Sequence, residues 1–445
     1  MKKTFLLIAL ISVAISSFAQ EKKMLTPMDA AYQNRSIYPV GKNVKWLTNT
    51  DKYIFTEGND LMVQNANAKK ASVMLTLDQV NSYLNQAGMD SLKRLPNLTW
   101  LDANQAYYYS YDKNTNNINL NLLDVKAKNI KKVTAIPSNA ENYTVTTPSL
   151  KVAYTIDNNL YYADGDNQVQ VTDNAENVVA GQSVHRNEFA IEGGIFWSPD
   201  GSKLAYYSMD ESMVSDYPLV DITTRVAEAK PIKYPMAGMT SHEVTLKIYN
   251  TVNGEETVVK TEGPADQYLT AITWNPNNEM IYIGVLNRGQ NHIQFNEYNA
   301  LNGEYLQTIF EDKDEQYVEP VGPAHFLPNN TKEFLWLAQR DGFYHIWKHN
   351  TVTKEAKQIT KGDFVITSFE GFDKKGDNVY YTSTEVSPLE RHYYKHNIKT
   401  GKKVKVTKQH GTHSVAPSAS GKYFLDSYSS TDVFSSISIR MYPSS

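Results

Sequence analysis

Short hydrophobic and aromatic runs, each alternating with polar residues, recur along most of this 445-residue chain. Clusters of Asn, Asp, Gly and Pro separate the runs, and this arrangement is typical of β-strands that end in turns. The 30 tyrosines favour the same assignment, because aromatic residues are enriched in strands. The pattern therefore predicts an all-β protein with many short strands.

A unit of strand, tight turn and strand repeats within this pattern. Proline fixes φ at the entry of the turn, and Asp, Asn or Gly accepts the dihedral angles that follow. The equivalent positions Pro276, Pro328, Asp373 and Ser418 are separated by 52, 45 and 45 residues. A period of about 40 to 50 residues with several strands in each unit predicts the blades of a β-propeller.

The count of units predicts eight blades within residues 41–445. The clearest turns lie at 196–201, 273–278, 325–330, 371–376 and 416–421. Weaker units lie at 41–76, 98–136, 139–176 and 180–262. The last predicted strand covers 436–441.

Two segments depart from the strand pattern. From Leu77, apolar residues at Val80, Leu84 and Ala87 follow helical spacing until Gly88, a plausible stop, which predicts a short helix between the first two blades. Residues 210–243 make the fourth unit much larger than its neighbours. An insertion of this kind predicts a loop or hairpin on one face of the propeller, where function is often located.

The amino terminus has the features of a secretory signal peptide. Two lysines precede an apolar run of about 11 residues, and small residues lead up to Ala19. The run is shorter than the roughly 20 residues of a membrane helix, so we expect no membrane span. We predict a signal peptide at 1–19, a lead-in at 20–40, and export to the periplasm or the medium.

Composition excludes several classes of function. The chain has no cysteine, and so it has neither a disulfide framework nor a thiol nucleophile. Its 44 basic and 48 acidic residues are well mixed and give a net charge of −4, unlike the basic stripe of a nucleic-acid-binding protein. No phosphate-binding glycine motif is present, and we predict no cofactor.

We predict no catalytic residue in this chain. The Gly-x-Ser-x-Gly elbow that exposes a serine nucleophile does not occur, and no βαβ alternation could form a hydrolase sheet. The pairs His345/His349 and His392/His396 lie in strand-like sequence, where the strand rise separates each pair by about 13 Å. This is too far for one ion, and we therefore predict no metal site and assign these histidines to the surface or to blade packing.

The acidic residue of greatest interest is Glu188, just upstream of the blade signature at 196–201. A carboxylate on a rigid excursion from a propeller can bind a substrate ammonium through a charge-assisted hydrogen bond. From the sequence pattern alone, a solvated glutamate in a turn is the simpler interpretation.

Several motifs, in order along the chain, resemble the N-terminal domain of the dipeptidyl peptidase IV family of prolyl oligopeptidase-type serine peptidases. They are Asn-Glu-Phe at 187–189, Phe-Trp-Ser-Pro-Asp-Gly-Ser-Lys-Leu-Ala at 196–205, Asp-Glu-Ser at 210–212, Tyr-Pro-Met-Ala-Gly at 234–238, Val-Thr-Leu at 244–246, Gln-Arg-Asp-Gly-Phe-Tyr-His-Ile at 339–346, and Ser-Pro-Leu-Glu-Arg-His-Tyr-Tyr at 387–394. The resemblance covers most of the chain after the signal peptide and is firmest from about 180 to 400.

The resemblance implies an eight-bladed propeller that covers a C-terminal α/β-hydrolase domain supplying Ser, Asp and His. In the family, acidic residues on an excursion from the fourth blade hold the free N-terminus of a peptide, and here that anchor position falls at Glu188. We expect the hydrolase domain to be absent from this chain, and so encoded elsewhere or lost by truncation. Family members often dimerise, which leaves a homodimer open.

Two departures bear on specificity. Dipeptidyl peptidases have two adjacent glutamates here, whereas this chain has Asn187 before Glu188, which is more similar to bacterial prolyl tripeptidyl peptidases. The family's arginine that contacts the substrate carbonyl has no match near Asn104, Gln105 and 107–111. We predict a propeller that gates peptides and anchors their N-termini for release of X-X-Pro tripeptides. The alternatives are dipeptidyl peptidase IV-type activity and a stand-alone propeller that acts as a binding or scaffold module.

Overall fold

A computed structural model describes residues 26–32, 43–147, 149–433 and 435–442. The chain divides into two compact units, residues 1–43 and 44–445. In the first unit, helix α1 (Pro27–Ala31) begins at Thr26, whose side chain accepts a hydrogen bond from the Asp29 amide. The predicted signal peptide at 1–19 lies outside the described residues.

The second unit is an eight-bladed β-propeller, as predicted, and each blade is an antiparallel sheet. Blade 1 contains β1 (Lys45–Trp46), β2 (Lys52–Glu57), β3 (Asp60–Asn65) and β4 (Ser72–Thr76), and blade 2 contains β5 (Thr99–Trp100), β6 (Gln105–Asp112), β7 (Asn117–Asp124) and β8 (Asn129–Pro137). Blade 3 contains β9 (Glu141–Val145), β10 (Val152–Ile156), β11 (Asn159–Asp164) and β12 (Asn167–Gln170). Blade 4 contains β13 (Val178–Ala180), β14 (Ile195–Trp197), β15 (Lys203–Asp210), β18 (Glu243–Asn250) and β19 (Glu256–Val258). The large fourth unit also contains the predicted insertion, a two-stranded hairpin of β16 (Asp216–Asp221) and β17 (Glu228–Lys233).

Blades 5 to 8 are more regular and follow the chain without insertions. Blade 5 contains β20 (Tyr268–Trp274), β21 (Met280–Leu286), β22 (His292–Asn299) and β23 (Tyr305–Lys313), and blade 6 contains β24 (His325–Phe326), β25 (Glu333–Ala338), β26 (His345–Asn350) and β27 (Ala356–Gln358). Blade 7 contains β28 (Ile366–Phe372), β29 (Asn378–Ser383), β30 (His392–Asn397) and β31 (Lys403–Lys405). Blade 8 contains β32 (Thr412–Pro417), β33 (Tyr423–Ser429) and β34 (Ser436–Met441). The final strand has the predicted bounds.

The repeated turn forms as its residues predict. At the fourth blade, Ser198 Oγ donates to Asp200 Oδ1 over 2.7 Å and accepts from the Lys203 amide over 2.9 Å. Gly201 has φ of 70°, and a Cβ there would lie 2.7 Å from Thr146 Oγ1, so the position requires glycine.

Helix α2 (Leu77–Gln86) is the predicted insertion between the first two blades. The Thr76 side chain accepts from the Gln79 amide, and the Gln79 side chain accepts from the Thr76 amide, which completes a capping box. The helix ends before Gly88, whose φ is 69°. Its buried face, Val80, Tyr83 and Leu84, joins one apolar cluster with blades 1 and 2.

The core lies between blades, in apolar clusters that each join two neighbours in sequence. Residues of blades 4 and 5, for example, share one cluster that includes Leu246 and Leu269, both fully buried. Blades 8 and 1 meet through hydrogen bonds from the Trp46 indole to the Ala416 carbonyl (2.8 Å) and from the Ser420 amide to Asp51 Oδ1 (3.0 Å). Blades 1 and 8 are each built from consecutive strands, and the ring therefore closes without an exchanged strand.

Candidate functional site

Glu188 lies where blade 4 departs from the regular pattern. Its innermost strand is divided into β13 and β14, and residues 181–194, which we call the excursion loop, leave the sheet between them. The loop contains a short 3-10 turn at His185–Asn187, and Glu188 directly follows it with its side chain exposed. The position agrees with the predicted excursion.

The excursion loop has an unusual backbone. His185, Arg186, Asn187, Phe189 and Ala190 have φ between 50° and 63°, although none of them is glycine. Left-handed conformations are unfavourable for residues with a Cβ and persist only where surrounding contacts impose them. Such concentrations of strain occur at functional sites, which makes this loop the first candidate in the molecule.

Contacts on both sides of Glu188 hold the loop. Arg186 Nη2 donates to the Lys233 carbonyl of the hairpin over 2.9 Å, and its guanidinium lies 4.9 Å from the centre of the Tyr234 ring. On the other side, the Thr270 hydroxyl donates to the Phe189 carbonyl. The Phe189 ring packs on Tyr268 of blade 5, with centroids 4.5 Å apart.

His185 is the buried side chain of the 3-10 turn, with 6% of its surface exposed. Its Nδ1 lies 2.9 Å from Nε2 of His242, which directly precedes β18, and its ring contacts Tyr268 edge to face. Burial, and then the charges of His242 and Arg288, lower the pKa of His185 to about 3. Burial, Arg288 and Arg186 lower the pKa of His242 to about 4. Both imidazoles are therefore neutral near pH 7.

A cavity of about 800 Å³ opens beside the loop. Its wall combines the excursion loop, the returning strand of the hairpin and blade 5, and includes His185, Arg186, Glu188, Glu211, Lys233, Tyr234, His242, Tyr268 and Arg288. Arg288 lies in the turn between β21 and β22, at the position in blade 5 where blade 4 carries its hairpin. We call this space the blade 4 cavity.

Apart from two carboxylates, the charged side chains of the blade 4 cavity have partners among the described residues. Lys233 binds Asp216 over 3.1 Å, and Arg288 Nη1 donates to the Tyr268 hydroxyl over 2.6 Å. Burial raises the pKa of Glu211, against the opposing effect of Lys233 and Arg186. Neither the Glu188 nor the Glu211 carboxylate has a hydrogen bond or ion pair with any residue in the described ranges, and of the two only Glu188 is exposed. An unpaired carboxylate on a fixed loop is suited to receive a cation.

Residues 104–111, the segment in which the family's arginine was expected, do not line the blade 4 cavity. Gln105 donates to Asp124 over 2.8 Å, and Tyr109 packs on Tyr107 and on Tyr143, the neighbour of the cavity-lining Asn142. The cavity instead contains Arg186 and Arg288, neither of which the sequence pattern identified as a candidate. Arg288 lies 100 residues after Glu188 in an ordinary Asn-Arg-Gly turn, and nothing in the sequence distinguishes it from a surface arginine.

The paired histidines are on strands, as predicted. His345 and His349 lie on β26, and His392 and His396 on β30, all four buried. Both ring nitrogens of His345 have partners, the Thr360 hydroxyl and the Gly362 carbonyl, as expected for a packed blade residue. Within the described part of the chain, no three His, Cys, Asp or Glu side chains form a metal-binding group.

Neither an activated serine nor a membrane-spanning helix is found among the described residues. No serine hydroxyl there is hydrogen-bonded to a histidine ring, the contact that activates a serine nucleophile. The two described helices are both too short, at 5 and 10 residues, to span a bilayer.

Comparisons with known proteins point to one family. The profile of the family described as the dipeptidyl peptidase IV (DPP IV) N-terminal region matches residues 97–435. Dipeptidyl peptidase 4 of Felis catus is 25% identical over 391 residues, which cover 79% of this chain and 49% of that protein. For dipeptidyl peptidase 4 of Sus scrofa the identity is 23% over 404 residues, covering 80% and 51%. The chain thus spans about half the length of these curated relatives.

Two crystal structures share the fold. A candidate dipeptidyl aminopeptidase IV from Bacteroides ovatus matches with a TM-score of 0.80 and 32% identity, over 90% of this chain and 59% of that one. Porphyromonas gingivalis dipeptidyl peptidase 4 matches with a TM-score of 0.78 and 22% identity, over 94% of this chain and 60% of that one. At the latter identity the likeness concerns the fold alone.

Proposed function

Because the chain belongs to the family of the dipeptidyl peptidase IV N-terminal region, we propose that it is the substrate-gating propeller of a proline-specific serine exopeptidase. In this proposal an α/β-hydrolase domain supplies the nucleophile, and the propeller binds the free N-terminus of the peptide. The observation that carries the proposal is the Glu188 carboxylate, which lines the blade 4 cavity without an internal cation.

The anchoring role follows from simple electrostatics. A peptide ammonium placed at Glu188 would form a charge-assisted hydrogen bond, which is stronger than a neutral one. The fixed distance from this anchor to the nucleophile would then determine how many residues are released. Binding is expected to weaken as pH rises through the α-amino pKa of about 8, because the ammonium loses its charge.

We further propose that the enzyme releases tripeptides. Asn187 occupies the position next to Glu188 where the resemblance places a second glutamate in dipeptidyl peptidases, and the asparagine side chain bonds the Ser183 hydroxyl within the loop. A single glutamate at positions 187–188, instead of two, supports the tripeptidyl assignment. The names of the relatives support the second candidate, dipeptidyl peptidase activity.

The proposal also includes export. The basic, apolar and small-residue segments of 1–19 support cleavage after Ala19 and a periplasmic or secreted location. Mass spectrometry of the exported protein is expected to find an amino terminus at Gln20, whereas a retained Met1 would contradict export by this route.

The test compares cleavage of Ala-Ala-Pro-nitroanilide, Ala-Pro-nitroanilide and acetyl-Ala-Ala-Pro-nitroanilide by the polypeptide that joins this propeller to a hydrolase domain. Glu188→Gln is expected to lower kcat/KM for the free tripeptide by two decades or more, since loss of an enclosed charge pair costs on the order of 2–5 kcal/mol. The acetylated substrate, which has no ammonium, is expected to be poor for the wild type and insensitive to Glu188→Gln.

Glu192→Gln provides the matched control, because Glu192 is exposed in the same loop but does not line the cavity. It is expected to leave kcat/KM unchanged. Equal cleavage of the dipeptide and tripeptide substrates would contradict the tripeptidyl assignment. Full activity of Glu188→Gln would refute the anchor itself.

A further inference from the structure

The backbone of the excursion loop needs an explanation beyond its own sequence. Five of the six residues from His185 to Ala190 are left-handed, and Glu188 is the exception, with φ of −77°. The ends of this left-handed segment are fixed because the flanking Val184 and Ile191 are buried in the cluster shared by blades 4 and 5. The left-handed residues between Val184 and Ile191 must be held in place by further contacts.

His185 supplies the deepest of these contacts. Its imidazole lies between Tyr268 of blade 5 and His242, with ring centroids 4.6 Å and 4.4 Å away. The 2.9 Å bond between His185 Nδ1 and His242 Nε2 links the loop to the start of β18, 57 residues later in the chain. Since a neutral imidazole has one donor and one acceptor nitrogen, one ring donates and the other accepts.

The bond specifies the orientation of His185 as well as its burial. Nε2 of His185 is buried and has no hydrogen-bond partner among the described residues. An apolar ring would fill the same space without leaving a polar nitrogen unpaired, a state that has a free-energy cost. The Nδ1 contact is therefore the polar interaction that accounts for a histidine at this position.

The backbone of Glu188 depends directly on His185. The Glu188 amide donates to the His185 carbonyl over 3.2 Å, and the Ile191 amide donates to the Glu188 carbonyl over 3.1 Å. A displacement of His185 would therefore move the peptide unit that carries the Glu188 carboxylate.

We propose that the His185–His242 hydrogen bond is a positioning element that fixes the Glu188 carboxylate at the wall of the blade 4 cavity for a peptide ammonium. This inference rests on the proposed function of Glu188 as the anchor. The two histidines act through Glu188 and need not touch the substrate.

The test is a double-mutant cycle in the polypeptide that joins the propeller to its hydrolase. His242→Phe keeps an aromatic ring against His185 but removes the hydrogen bond, and it is expected to raise KM for Ala-Ala-Pro-nitroanilide about tenfold with kcat within about twofold. In a Glu188→Gln background the same substitution is expected to change KM by less than about twofold, because the carboxylate it positions is gone. His242→Gln retains a hydrogen-bonding group and is expected to restore most of the affinity.

Hydrogen–deuterium exchange of the 445-residue chain gives a second readout that needs no catalysis. In His242→Phe the amides of Glu188 and Ile191 are expected to exchange about tenfold faster, while those of Tyr207 and Leu246 in β15 and β18 stay protected. Should His242→Phe not fold, His185→Phe removes the bond from the loop side and replaces it in both experiments.

The outcomes separate the two proposals. If Glu188→Gln retains full activity, the anchor is wrong whatever the histidines do. If Glu188→Gln is impaired but His242→Phe has no effect on KM, or has the same effect in both backgrounds, the anchor stands and the positioning role of the histidines is overturned.

Discussion

Blades 4 and 5 are neighbours that share one apolar cluster, but they differ in the continuity of the innermost strand and in the length of the connection between the two central strands. In blade 5, the innermost strand β20 is continuous, and six of its seven residues are buried. In blade 4, that strand is divided by the excursion loop, and the connection from β15 to β18 extends through the hairpin at 211–242. Blade 4 thus has a run of left-handed residues next to Glu188, whereas β20 of blade 5 has only a local irregularity at Ala271, with φ of 53° and a shift in register.

The difference does not reflect a weaker core in blade 4. Val184 and Ile191, at the two ends of the left-handed segment, are 1% and 3% exposed and belong to the same cluster as Leu269 of β20. The excursion loop is therefore a segment held by the core at both ends, in contrast to a flexible insertion. The candidate site is therefore an irregular segment that the shared core of blades 4 and 5 holds on both sides.

The largest expected effect on stability lies in the regular blade. Phe295 of β22 is fully buried and packs against Tyr282, Phe310, Phe334 and Trp336. Phe295→Ala is expected to lower the free energy of unfolding by about 3–5 kcal/mol, from lost burial and the cavity left behind. Urea denaturation provides the measurement.

The control for Phe295→Ala is Leu301→Ala in the exposed turn between β22 and β23, where 70% of the leucine surface is accessible. It is expected to change stability by less than about 0.5 kcal/mol. Similar losses in both variants would mean that burial in blade 5 does not determine its stability.

The next prediction concerns the pH dependence of the free energy of unfolding. It compares His185 of the excursion loop with His349 of the regular blade 6. Burial, together with Arg340, lowers the pKa of His349 to about 3, as burial and nearby charges do for His185. Below the unfolded value of about 6.5, the unfolded state binds a proton that the folded state does not, so stability falls as pH falls. From pH 6.5 to 5 each histidine is expected to account for about 2 kcal/mol of this loss.

Urea unfolding at pH 7, 6 and 5 tests this expectation with His185→Gln and His349→Gln. In each variant about one proton fewer is expected to be taken up on unfolding. The slope of the free energy of unfolding against pH is then lower by about 1.4 kcal/mol per pH unit. If only His349→Gln does so, His185 is protonated by local opening of the excursion loop before the protein unfolds, and the loop is less firmly held than blade 6.

The hairpin provides a smaller effect. The residues of β16 and β17 are mostly exposed and belong to none of the apolar clusters of the described residues. Ser215 and Tyr234 are already paired across its base, with a 3.0 Å bond from the Tyr234 amide to the Ser215 carbonyl. Replacement of 216–233 by Asn-Gly, which favours a two-residue hairpin turn, is expected to change the free energy of unfolding by about 1 kcal/mol or less.

A large, cooperative loss of stability after this excision would show that the hairpin supports blade 4. The same variant loses the Lys233 carbonyl that Arg186 binds. Weaker peptide binding with unchanged stability is therefore the expected combination.

The sequence predicted the regular parts of this fold well because their causes are local. The Ser-Pro-Asp-Gly turn at 198–201 contains its own hydrogen-bond partners and a glycine for the positive φ. Helix α2 contains its own capping box, and β34 follows from residue alternation alone. The blade count then follows from the spacing of these local signals.

The conformation of the excursion loop could not be predicted in the same way. In His-Arg-Asn-Glu-Phe-Ala only His185 and Asn187 are of types that adopt left-handed backbone more readily. The same conformation at Arg186, Phe189 and Ala190 has its causes in contacts with other segments, including those of His185 with His242 and Tyr268. These contacts join residues from two blades, and single-sequence patterns do not report such distances. The choice of Glu188 itself depended on family resemblance, because the local pattern favoured an ordinary turn glutamate.

The last comparison concerns the sign of the change in stability when an alanine is replaced by glycine, once in the excursion loop and once in a regular strand. Ala190 has φ of 58° in the excursion loop, whereas Ala205 is fully buried in β15 between Phe196 and Ile248. A left-handed residue with a Cβ costs roughly 1–2 kcal/mol, and glycine removes that cost while adding about 0.5–1 kcal/mol of chain entropy. Ala190→Gly is therefore expected to leave stability unchanged or raise it by up to about 1 kcal/mol. Ala205→Gly is expected to lower it by about 1 kcal/mol or more, since a buried methyl is lost from a regular strand. Urea denaturation of the two variants measures the difference, and equal destabilisation by both would show that the loop backbone is not strained.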